Sequence, residues 1–220
     1  MGQRLTAFKV KWKKAIIIFV ALSVFVGLCA FMAMAVKDRT YVGSPEFKPT
    51  VDASKESVVI YYSRSGHSEA VAREVARKTN SHIAKISADY ALDFQGQSKA
   101  ISDATSEVLP PITIEPVDLL SAKRVYLISP TWMFRPAPPL WTFISQSDLD
   151  GKEIILIMTG NSRIKQEQIS EFSHLINSRG GRLIHQIFLR RGRIYWQLSR
   201  EELLQAVDAH LVEMGHAAKK

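Results

Sequence analysis

The chain opens with one long apolar block. It then settles into short apolar runs separated by amphipathic stretches. Residues 15–36 are 22 consecutive positions without a charge. As a helix rising about 1.5 Å per residue, this block is about 33 Å long, enough to cross a hydrocarbon core of roughly 30 Å. Trp12 and Tyr41 flank it near the expected interfaces. The pattern predicts a membrane anchor. The alternative is a cleaved signal peptide, since Ala33-Met34-Ala35 has the small-x-small form of a cleavage site. The apolar run is longer than the roughly 7–15 residues of a signal-peptide core.

Residues 37–56 hold Gly43, Pro45, Pro49 and several charges without periodicity, which predicts a linker. From residue 57 onward, strand and helix patterns alternate. Strands are expected at 58–62, 82–88, 124–129, 153–158 and 183–189. The third and fourth are unbroken apolar runs, as in strands buried on both faces of a parallel sheet. A helix over 69–80 carries Val71, Ala72, Val75 and Ala76 as one stripe, with the i,i+4 pairs Glu69–Arg73 and Glu74–Lys78 on its other face. A second helix over 97–108 is stopped by Pro110-Pro111. A third starts near Pro138-Pro139, and a fourth spans 163–178 and ends at Gly180-Gly181. The last helix opens on a capping box, Ser199 with Glu202, and has Leu204, Val207 and Leu211 as its stripe. The expected organisation is a basic tail (1–14), a transmembrane helix (15–36), a linker (37–56) and an α/β domain (57–220).

Five strands alternating with helices predict a doubly wound, five-stranded parallel sheet with right-handed connections. Ligands bind such sheets at the carboxyl ends of the strands, near the topological switch point. Three expected loops leave strand ends there: 63–68, 130–138 and 159–163. The first reads Ser63-Arg64-Ser65-Gly66-His67-Ser68, three hydroxyls and a glycine entering a helix. A helix N-terminus offers unpaired N–H groups and the positive end of its dipole, so hydroxyls and a glycine there suit a phosphate.

Charge and rare residues narrow the chemistry. The chain has 29 basic and 21 acidic residues, and five of the basic ones (Arg4, Lys9, Lys11, Lys13 and Lys14) precede residue 36 with no acid among them. The rest of the chain is therefore only mildly basic. It has no basic face interleaved with aromatics, so nucleic acid is not an expected partner. The single cysteine, Cys29, lies in the apolar block, which removes disulfides, thiol catalysis and cysteine metal sites from the α/β part. The six histidines show no metal-ligand spacing, and neither a dinucleotide fingerprint nor a P-loop is present. Arg190, Arg191, Gly192 and Arg193 with Tyr195 and Trp196 form a basic loop, read either as solvated or as a docking patch for acidic partners or lipid headgroups.

In these motifs the chain resembles flavodoxin and the FMN-dependent flavodoxin-like proteins. That family's phosphate loop has the form T/S-x-T/S-G-x-T/S, which residues 63–68 match with serines. Its second flavin loop begins with proline and an aromatic and ends in a proline that starts a helix. Ser129-Pro130-Thr131-Trp132-Met133-Phe134-Arg135-Pro136-Ala137-Pro138-Pro139 looks like that loop. Its third loop is small and polar, as is Thr159-Gly160-Asn161-Ser162. The resemblance covers about 57–215 and implies FMN held by Ser63, Arg64, Ser65, Gly66, His67 and Ser68 at the phosphate. It implies Pro130, Thr131, Trp132, Met133, Phe134 and Arg135 at the ring, and Thr159, Gly160, Asn161 and Ser162 at its pyrimidine end. Arg64 either covers the phosphate or is solvated, and Arg135 is a bulky cation expected beside the flavin edge. No side chain is required as a catalytic acid or nucleophile.

The implied function is a membrane-tethered redox protein that transfers electrons through bound flavin. One alternative is an NAD(P)H- or quinone-dependent FMN reductase, with Arg135 attracting a nicotinamide phosphate. The other is a flavin-free binding module on the same fold. The mildly basic, tethered domain departs from the acidic, free flavodoxins, so their redox partners do not carry over. Five Lys or Arg precede the span, against Lys37, Arg39 and Lys48 just after it, which predicts a cytoplasmic N-terminus and an extracytoplasmic flavin domain.

Overall fold

A computed structural model describes residues 2–50, 52–192 and 197–217. The chain divides into two compact units, Met1–Asp38 and Arg39–Lys220. The first is one helix, α1 (Gly2–Asp38). Within it lies a 26-residue candidate span, Trp12–Lys37, containing an 18-residue window with a mean hydropathy of 2.8. Ile16, Phe19, Phe25 and Leu28 are all exposed on its surface. A helix that is apolar all round matches the composition of a membrane span. A signal sequence passes the same test.

The second unit is built on a sheet. Its elements in chain order are β1 (Ser54–Tyr62), α2 (His67–Thr79), β2 (Ser81–Ser87), α3 (Phe94–Thr105), β3 (Thr113–Ile114), β4 (Arg124–Trp132) and β5 (Arg135–Pro136). They continue with α4 (Pro138–Gln146), β6 (Glu153–Gly160), α5 (Gln166–Ser178), β7 (Arg182–Arg190) and α6 (Arg200–Ala217). The parallel strands run in the order β2-β1-β4-β6-β7. This is the flavodoxin-like order, and it reverses direction beside β1. Two short strands were not foreseen. β3 pairs antiparallel with the outer edge of β2, and β5 folds back antiparallel on the end of β4. At two residues each, neither carries enough alternation to be read from sequence.

The strand period of two sorts the core onto two faces. Val59, Tyr61, Ile155 and Ile157 pack with Val71, Val75 and Ala76 of α2 and with Leu203 and Val207 of α6. Val58, Ile60, Leu127, Leu156 and Met158 pack on the other face with Leu140 and Ile144 of α4 and with Phe172 and Ile176 of α5. Helices thus cover both faces, as a doubly wound sheet requires.

Element ends differ from the expected ones where local chemistry sets them. α3 begins at Phe94, not 97, because the Asp93 carboxylate caps it by accepting from the Gly96 N–H at 2.7 Å. It ends at Thr105. α5 begins at Gln166, three residues later than expected. The expected capping box of α6 is formed in both directions. Glu202 N–H donates to Ser199 Oγ at 3.2 Å, and Ser199 N–H donates to Glu202 Oε2 at 2.7 Å. On that helix Leu203, rather than Leu204, joins Val207 as the fully buried pair.

Candidate functional site

The first loop leaves β1, whose last five residues are all buried, and enters α2. Gly66 takes the N-cap place with φ of 90° and ψ of −18°, in the left-handed region that glycine adopts at no steric cost. Its N–H donates to Ser63 Oγ at 3.1 Å, and its carbonyl accepts from Ala70 N–H at 2.9 Å. The first turn of α2 therefore directs the N–H groups of His67, Ser68 and Glu69 away from the helix body, where no helix carbonyl can meet them. The Ser68 hydroxyl is buried against that of Thr159 at 2.8 Å, which ties the first loop to the third. One hydroxyl of such a pair keeps a proton for a further acceptor.

Two groups beside this loop control its charge. Glu69 is buried in the first helical turn, with Arg73 and the Tyr41 hydroxyl both bonded to its carboxylate. Burial first, and then Glu69, push the Tyr41 phenol up to about 12, so it stays a donor. His67 is driven down to about 4, by burial first and then by the charge of Arg191, so its imidazole is neutral near pH 7.

Loop two is a hairpin. Thr131 pairs with Pro136 and Trp132 with Arg135, which leaves Met133 and Phe134 as a two-residue turn. Both have positive φ, 50° and 70°. That is the signature of a type I′ turn, normally built from Asn-Gly. Met133 stands exposed at the tip. Phe134 lies under the cations of Arg163 and Lys165, at 5.3 and 5.7 Å from its ring centre. Trp132 packs edge-on against Tyr90 at 4.9 Å and against Tyr62 at 5.5 Å between ring centres.

Loop three lies against loop two. Pro130 and Thr159 are partners in register, and Thr131 Oγ1 donates to the Thr159 carbonyl at 3.4 Å. A Cβ on Gly160 would collide with Thr131 Oγ1 and the Phe188 ring, so only glycine allows this approach. Asn161 Oδ1 accepts from Arg191 Nε at 3.1 Å, and Ser162 is partly buried beside it.

The expected convergence of the three loops is thus present through the Ser68–Thr159, Thr131–Thr159 and Pro130–Thr159 contacts, with Ser63, Ser65, Gly66, His67, Trp132, Met133, Phe134, Gly160, Asn161 and Ser162 carried on those loops. It fails for two cations. Arg64 neither covers the loop nor floats in solvent. Its guanidinium donates to the carbonyls of Ala91 (2.8 and 3.0 Å) and Asp93 (3.2 Å), beyond β2. Arg135 is committed to contacts on its own side of the sheet. It is buried, pairs with Glu107 at 2.6 Å and lies over the Trp141 ring at 4.2 Å, between α3 and α4. Sequence reasoning missed three participants. Tyr90 joins the aromatic cluster from the loop after β2. Arg191, read only as part of a basic loop, is a buried cation touching loop three. Residues 39–44, expected as linker, lie against loop one through Val42 N–H, which donates to the Ser65 carbonyl at 2.9 Å. None of the three has a periodic or motif signal. Arg193, Tyr195 and Trp196 of the basic loop lie outside the described residues.

No protein-family model and no curated protein matches this chain. Solved structures do match its fold. A flavoprotein from Lactobacillus acidophilus, crystallised in complex with FMN, is 20% identical with a TM-score of 0.53, covering 61% of this chain and 93% of that one. A candidate flavoprotein from Bacteroides uniformis is 20% identical with a TM-score of 0.55, covering 70% and 97%. A candidate flavoprotein from Bacteroides eggerthii is 14% identical with a TM-score of 0.53, covering 70% and 96%. At these identities the likeness establishes a flavodoxin-like fold.

Proposed function

We propose that the chain is a membrane-tethered, FMN-binding redox protein of flavodoxin-like fold, with its second unit on the extracytoplasmic side. The observation that carries this is the junction of three loops at the switch point of the sheet, one of them a hydroxyl-rich entry to a helix N-terminus. The residues fit the cofactor. Ser63, Ser65 and the first-turn N–H groups of α2 would take the phosphate, with the Ser68–Thr159 hydroxyl pair behind them. The local acid, Glu69, is already paired. Arg191 supplies positive charge that Arg64, turned toward Ala91, does not. The hairpin at 131–136 and the loop at 159–162 would hold the ring, with Trp132 fixed by Tyr62 and Tyr90. Bound FMN supplies the electron chemistry, and the protein supplies binding and environment.

A carrier is favoured over a nicotinamide-dependent reductase because Arg135, the cation that would attract a nicotinamide phosphate, is engaged elsewhere. The test is a fluorescence-quenching titration of the purified chain with FMN and with riboflavin. Hydrogen bonds to a charged phosphate contribute roughly 1.5–3 kcal/mol each, so FMN should bind at least tenfold more tightly. Equal affinities would overturn the assignment of residues 63–68, and a colourless protein that binds neither would overturn the flavin reading. Turnover with NADPH and a quinone would restore the reductase.

A further inference from the structure

Residues 39–44 are fastened to the domain at several points. The Arg39 guanidinium donates to Gln97 Oε1 at 3.3 Å and lies 5.5 Å from the centre of the Phe94 ring. The Tyr41 hydroxyl bonds Glu69. Val42 N–H donates to the Ser65 carbonyl at 2.9 Å. The Ser44 carbonyl accepts from Arg73 at 2.6 Å, and the Ser44 hydroxyl accepts from Arg200 at 3.4 Å. The Val42 carbonyl fills the space a Cβ on Gly66 would need. Gly66 is therefore required by this strap and by its own positive φ.

The bond to Ser65 has a consequence for ligand binding. In a trans peptide the C=O and N–H point in opposite directions. Val42 holds the Ser65 carbonyl outward, so the N–H of the same peptide, on Gly66, points inward to Ser63 Oγ at 3.1 Å. A flip of that peptide would replace the N–H that holds Ser63 Oγ by a carbonyl oxygen, and so displace a hydroxyl assigned above to the phosphate. We infer that the strap is a positioning element for phosphate recognition: Val42 locks the 65–66 peptide with its donor inward, so discrimination between FMN and riboflavin depends on a segment outside the loop itself. This rests on the flavin reading above.

The test uses the full chain in detergent. Val42→Pro removes the N–H, and Gly66→Ala pushes the Val42 carbonyl away. Gly43→Ala is the control, since a Cβ there meets nothing within 4 Å. Val42→Pro and Gly66→Ala should each lose about tenfold in FMN affinity, the scale of one lost charge-assisted hydrogen bond. Riboflavin affinity should stay unchanged in both, and Gly43→Ala should match the wild type. FMN affinity indifferent to Val42→Pro would overturn the inference alone, as would an equal loss for both flavins. Wild-type protein that binds neither flavin would overturn the flavin reading and this inference with it. Amide hydrogen exchange on the wild type removes any dependence on variant folding. FMN should slow exchange at Val42 and riboflavin should not, and identical exchange with both would overturn the inference.

Discussion

Met133 and Phe134 hold a backbone conformation that bulky residues avoid, at a cost of roughly 1–3 kcal/mol each. Strain of this kind persists where the tip of a hairpin has a use for its side chains. Replacing the pair by Asn-Gly (Met133→Asn with Phe134→Gly) should raise the stability of the flavin-free protein by about 1–2 kcal/mol. It should also weaken FMN and riboflavin binding together. Urea unfolding and flavin titration check both halves, and a loss of stability would show the turn to be relaxed. His67 offers a second measurement. Its folded pKa of about 4 lies below the ordinary value of 6.5, so between these pH values the unfolded chain binds more protons. The contribution is present in full above pH 6.5 and is lost as pH falls toward 4. Urea midpoints measured across that window should fall more steeply for the wild type than for His67→Gln.

At the scale of elements, α6 shows how a local motif and tertiary packing share the work. Its start is set by Ser199 and Glu202, and its place by Leu203 and Val207 against Val71 and Val75. Ser199→Ala removes one side-chain acceptor and should cost about 1 kcal/mol, read as a lower urea midpoint with an unchanged slope. An unchanged midpoint would mean that packing alone defines the helix start. The capping box was legible in sequence because both partners lie three residues apart. The start of α3 was not read, although the cue was local, because Asp93 sits in a stretch without clear periodicity. The burial of the central strands was legible for a different reason. Runs such as 124–129 and 153–158 lack alternation, as strands buried on both faces of a parallel sheet do, and their length and flanking turns mark them as strands.

For the whole molecule, the proposed tether carries a prediction about the side of the membrane on which the second unit lies. The excess of Lys and Arg before the apolar block favours a cytoplasmic N-terminus. Alkaline phosphatase fused after Lys220 should therefore be active, and a fluorescent protein that matures only in the cytosol should stay dark there. The reverse pattern would place the domain beside the cytosolic nicotinamide pool and favour a reductase.

By itself the sequence determined the apolar N-terminal block, the alternation of strands and helices, and the three loops that the strand order brings to one edge. Each of these is written in neighbouring residues, through hydrophobic period, caps and turn formers. Only the tertiary structure decided where the cations of those loops point. Arg64 finds carbonyls 27 and 29 residues away, and Arg135 finds a carboxylate 28 residues away. A guanidinium goes to whichever acceptor the fold brings near, and no spacing along the chain announces it. The strap is the extreme case. Its decisive bond joins two backbone groups, Val42 N–H and the Ser65 carbonyl, which almost any pair of residues would carry, and the one side-chain trace of it, the missing Cβ of Gly66, is explained in the sequence equally well by the loop's own turn.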